Sequence, residues 1–172
     1  LDRSSAASDV YKRQVLGAKA VVVGLFMFVS SLVIFLAAAV AVSAVVASRD
    51  QGIDWGDPAA SFLPIVVSSL AMAVFALIGV AFGFILRSGA GAIAATVGLL
   101  FVLPIVASFF AVAGEAWAWV MDAAGYLPVA AAQSAILPEG AALEAPVAYL
   151  TLAAWVAAGM LGAWAVLRTR DA

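Results

Sequence analysis

Four stretches of this chain, residues 20–46, 59–86, 90–113 and 146–167, contain no Asp, Glu, Lys, Arg or His. A hydrocarbon core about 30 Å thick is crossed by roughly 20 apolar residues in a helix, and every one of the four reaches that length. Within lipid each backbone N–H and C=O must find its partner inside the protein, which a helix achieves within one segment. The pattern predicts an all-α integral membrane protein with about four transmembrane helices. Composition agrees: 67% of residues are apolar and 10% charged, with a mean hydropathy of +1.18, against roughly half apolar and about a quarter charged in a soluble domain.

The connections are of three kinds. The first stretch is long enough to tilt or to extend past the lipid core, and "SRDQGIDWGDP" follows it, with Gly52, Gly56 and Pro58 as breakers. In the second stretch Pro64 sits near the start, where a missing N–H costs least. Only "RSG" separates the second and third, which predicts a tight antiparallel hairpin. Pro104 lies inside the third and predicts a kink or a break. Residues 114–144 are too polar and interrupted to span. They predict short outer helices between the third and fourth spans, divided by Gly125 and Pro128 and lying at the interface or dipping into it. Trp117, Trp119 and Tyr126 would sit at headgroup level as an aromatic belt, with a substrate-stacking role as the alternative.

The opening is the polar exception, with Asp2, Arg3, Asp9, Lys12 and Arg13 crowded into it. It lacks the short apolar core and small-residue cleavage site of a signal peptide. Residues 4–14, "SSAASDVYKRQ", read as the in-frame translation of a transposase-type sequencing adapter, with GATGTGTATAAGAGACAG encoding residues 9–14. Residues 1–14 are therefore expected to be adapter-derived and disordered, ahead of a polytopic domain over 15–172 that belongs to an N-terminally truncated gene product. With four spans, Lys19, Arg87, Arg168 and Arg170 fall on one side. The other holds Asp50, Asp54, Asp57, Glu115, Asp122, Glu139 and Glu144, with Arg49 its only basic residue. The positive-inside rule makes the basic side the cytoplasm. The expectation is a multi-pass protein of the bacterial plasma membrane with a cytoplasmic C-terminus.

Several chemistries are excluded at once. Without cysteine or histidine there is no disulfide, thiolate zinc site, histidine-ligated haem or Ser-His or Cys-His pair, and no cofactor is expected. A net charge of -2 with no basic patch points away from nucleic acid. Secondary transporters and proton pumps place an ionisable group near the midplane; the four stretches have none, so any transport would draw its energy from elsewhere, such as a soluble ATPase. Polar atoms in the spans include the hydroxyls of Ser30, Ser31, Ser43, Ser68, Ser69, Thr96, Ser108 and Thr151, each expected to bond a carbonyl of its own helix, with lining a translocation path as the alternative. Gly79 and Gly83 form a GxxxG candidate for close helix packing. "GAGAIAA" is not a phosphate loop, since it lacks the Lys and Ser/Thr of a Walker motif.

From "LRSGAGAIAATVGLLFVLPIV" onward the chain resembles the C-terminal half of the type-two ATP-binding-cassette permeases of the actinobacterial kind, the membrane subunits of exporters. The resemblance rests on Leu86, Arg87 and Ser88 before a Gly/Ala-rich helix start, on "LLFVLPI" with Pro104, on the outer "YLPVAAAQSAI", and on a last helix ending "LRTRDA". It covers essentially residues 15–172. It implies a subunit of six membrane helices, paired with a second permease subunit as homo- or heterodimer and driven by cytoplasmic ATPase subunits. The four stretches would be helices three to six. The family's first two spans, and the coupling helix between its second and third that makes the main ATPase contact, are not matched here. Arg87, Ser88 and Gly89 are then a candidate minor cytoplasmic contact, or simply a helix connection with a positive-inside anchor.

The sequence reading is thus a non-catalytic permease subunit, its ATP hydrolysed by a separate partner. A polytopic anchoring or assembly subunit without transport activity is the alternative. An intramembrane enzyme is disfavoured, because no acid, base, thiol or imidazole lies within the stretches.

Overall fold

A computed structural model describes residues 2–47, 57–110 and 114–169. Its order is α1 (Asp2–Val46), α2 (Pro58–Leu86), α3 (Gly89–Val97), a π turn (Gly98–Val102), α4 (Leu103–Phe110), a 3-10 turn (Glu115–Trp117), α5 (Ala118–Ala124), α6 (Pro128–Ile136) and α7 (Ala145–Thr169). There is no strand among the described residues. Four helical segments are long and apolar enough to cross a membrane: Gln14–Val46, Pro58–Leu86, Gly89–Phe110 and Ala145–Thr169. The protein is an all-α integral membrane protein.

The expectation of a disordered opening is not met, because α1 is helical from Asp2. No Gly or Pro interrupts the chain before Gly17, and extending a helix that the apolar span has already nucleated adds one bond per residue ordered. At the start of α2 the Asp57 carboxylate accepts the Ala60 N–H at 3.1 Å and Pro58 occupies the first turn, where its missing N–H is one of the orphans of any helix start. The third span is continuous rather than broken at Pro104. It passes through the π turn just before the proline, where the Leu103 N–H reaches back five residues to the Gly98 carbonyl. The wider turn accommodates a residue that can neither donate a bond nor tolerate the close carbonyl of a regular turn.

Pairwise contacts set the helix directions. Gly24 of α1 faces Leu77 of α2, and the Ser31 hydroxyl lies 3.4 Å from the Ser69 carbonyl, so α1 and α2 are antiparallel. Gly79 faces Thr96, so α3 returns alongside α2. Gly159 meets Ala81 and Gly162 meets Ile85, so α7 runs parallel to α2. The core is small-residue packing around α2: Val67, Ala71, Val74 and Ile78 with Leu99, Ala131, Ala132, Ala135, Ala148 and Leu152. Helix α6 belongs to this core, although it lies outside the four spans.

Candidate functional site

At one end of the bundle lie Lys19, Arg87 and Arg168, and at the other Asp57, at the start of α2, and Glu144, at the start of α7. Arg49, Asp50, Asp54 and Arg170 lie outside the described residues. The basic end includes the two-residue connection between α2 and α3. Arg87 caps α2 in the left-handed conformation, with φ 54°. Ser88 is extended and caps α3, its hydroxyl accepting the Gly91 N–H at 3.2 Å and its carbonyl the Ala92 N–H at 2.8 Å. Arg87, Ser88 and Gly89 are all exposed, as a cytoplasmic contact would require, but no further charged residue is contributed by the turn itself.

The two glycines of the GxxxG candidate behave differently. A Cβ on Gly79 would meet the Thr96 side chain at 3.7 Å, whereas one on Gly83 would meet nothing within 4 Å. Together they floor a groove of about 360 Å³ with Lys19, Val80 and Phe84, and the Lys19 ammonium stands 5.5 Å from the centre of the Phe84 ring. Closer contacts are met at two other glycines: a Cβ on Gly159 would come within 3.0 Å of the Ala81 Cβ, and one on Gly162 within 3.3 Å of Ile85. Sequence reading did not single out this pair, which carries GxxG rather than GxxxG spacing.

Between α1 and α7, on the α2 side, runs an apolar cleft of two adjoining cavities of about 510 and 540 Å³. Ala20, Val21 and Met160 line both, Gly24, Phe28 and Val156 the inner part, and Leu16 and Trp164 the part nearest the basic end. No ionisable side chain lines either cavity. Beside it, the Arg168 guanidinium lies over the Trp164 ring at 4.4 Å, within reach of a favourable cation–π interaction.

The segment between the third and fourth spans turns back on itself. Leu103, Val106 and Phe110 of α4 share a cavity with Val120, Ala123 and Leu127, so α5 runs back along α4. Gly125 and Pro128 mark the turn, and α6 then returns against α2 and α7. The turn is tied to α7 by the Trp155 indole N–H, which donates to the Tyr126 carbonyl at 2.8 Å. From Ala145 to Trp155 the α7 axis rises roughly 15 Å, so Tyr126 stands well below the start of α7. Trp117 and Trp119 are neighbours, with ring centres 6.4 Å apart, while Tyr126 lies past the end of α5, its carbonyl bound to Trp155 of α7. On the return, the buried Ser134 hydroxyl accepts the Leu143 N–H at 3.4 Å and ties α6 to the α7 approach.

Most span hydroxyls are internally bonded. Ser30, Ser31, Ser69, Thr96, Ser108 and Thr151 each donate to a carbonyl three or four residues earlier, while Ser43 and Ser68 make no such bond. Hydroxyls bonded in this way leave little donor capacity for a polar ligand. Compared with protein-family models, with curated proteins and with solved structures, the chain matches none.

Proposed function

We propose that the chain is a permease subunit of an ATP-driven exporter whose substrate path it shares with a second permease subunit. The observation that carries this reading is the cleft between α1 and α7, open along the bundle and lined by no ionisable residue. A path of that chemistry suits an apolar or amphiphilic substrate. It offers no site for a coupling ion, which in secondary transporters is held by an ionisable or polar group near the midplane. Energy then has to enter through a partner, and the exposed Arg87–Ser88–Gly89 turn is a surface on which a soluble ATPase subunit makes a minor contact. The returning α5–α6 pair fits the outer helices that the sequence resemblance implies ahead of the last span.

This chain contributes no cysteine, so once any thiols elsewhere in the full-length protein are replaced, a single substitution reports on the cleft. Val156→Cys, placed in the full-length protein in its native membrane, is expected to change its alkylation rate when ATP and vanadate are added. A nucleotide-binding subunit with a Walker motif is expected to co-purify. If no such subunit co-purifies and the alkylation rate ignores nucleotide, the exporter reading fails and a membrane anchoring or assembly role takes its place.

A further inference from the structure

We infer that the groove formed by Lys19, Gly79, Val80, Gly83 and Phe84 is a binding site for an anionic phospholipid of the leaflet at the basic end. This inference does not rest on the exporter reading. Lys19 is drawn over Phe84, a residue in the last turn of α2. The ammonium therefore sits close to the end of the bundle, where lipid headgroups are, rather than at mid-span. Among the described residues neither Lys19 nor Arg87 is in an ion pair, and Asp57 and Glu144 belong to the opposite end. A cation left without a carboxylate at the end of a membrane helix is complementary to a phosphate.

The floor of the groove supplies the second half of the argument. Gly83 has open space where a side chain would stand, and with Gly79 one turn away it leaves a furrow running from Lys19 along α2 toward the bundle centre. An acyl chain can lie in such a furrow while its phosphate meets the ammonium. The chain gains no hydrophobic transfer energy there, since it is already in hydrocarbon. Selection between lipids comes from charge, and one Lys near the membrane surface favours an anionic headgroup by roughly fivefold.

The experiment is native mass spectrometry of the full chain, released from micelles holding equal amounts of dioleoylphosphatidylglycerol and dioleoylphosphatidylcholine. The wild type is expected to retain the glycerol lipid about fivefold over the choline lipid. Lys19→Gln is expected to abolish the preference and Lys19→Arg to keep it. Arg168→Gln, which removes a cation from the same end but outside the groove, should leave it unchanged. Gly83→Leu, which fills the furrow and keeps the ammonium, should also lower retention. The inference is overturned if Lys19→Gln keeps the wild-type preference, or if Gly83→Leu does, since the lipid would then be held by the general charge of that end.

Discussion

Single residues decide how closely the helices approach, and two glycines give opposite expectations. At Gly159 an added Cβ would stand 3.0 Å from the Ala81 Cβ. Both atoms are fixed to helix backbones, so neither can swing away. Gly159→Ala is expected to cost about 1–3 kcal/mol, the usual range for overpacking, read as a lower denaturant midpoint in detergent–lipid micelles. Gly83→Ala, facing open space, should be neutral or stabilising by up to about 1 kcal/mol through helix propensity. Arg87 presents the converse case, a side chain where glycine is preferred. Holding it at φ 54° costs roughly 1–2 kcal/mol, so Arg87→Gly should raise the same midpoint. A midpoint that falls would show that the guanidinium's interactions outweigh the backbone strain. The GxxxG spacing was legible in the sequence, but the Gly159 contact was not. It depends on α7 running parallel to α2, a relation between segments more than 70 residues apart.

At the scale of elements, the four spans were legible because lipid imposes one requirement on every residue of a crossing helix, and a run of uncharged residues records it. The depth of the α5–α6 return was not legible. It is set by the bond from Trp155 to Tyr126, and nothing local to "GYLP" announces a partner 29 residues later. The π turn was legible only as trouble at Pro104; which way the helix would yield depends on Gly98, whose carbonyl is free to accept from Leu103. Pro104→Ala restores an N–H to this turn. It is expected to close the ladder toward regular α geometry, and one added bond of about 1 kcal/mol should slow amide exchange over residues 99–104 about fivefold. Unchanged exchange would assign the π turn to the packing of α4 against α5 rather than to the proline.

For the whole molecule the separation of charge is the strongest constraint, because it joins the helix directions to an orientation in the membrane. The parallel pair α2 and α7 both begin beside a carboxylate, Asp57 or Glu144, and both end beside a guanidinium, Arg87 or Arg168. Lys19 joins the basic end because α1 runs antiparallel to α2. Retention of basic residues on the cytoplasmic side during insertion then predicts that the α2–α3 turn faces inward and the α6–α7 connection outward. The absence of cysteine from this chain lets single cysteines placed in it report the prediction in intact cells expressing it. A membrane-impermeant maleimide should label Glu139→Cys from outside and reach Ser88→Cys only after the cells are opened. Reversed labelling would place the Lys19 groove in the outer leaflet and carry Arg87, Ser88 and Gly89 away from any cytoplasmic ATPase. The exporter proposal would then lose its contact surface, while the lipid site, which depends only on charge and shape, would stand with its leaflet exchanged.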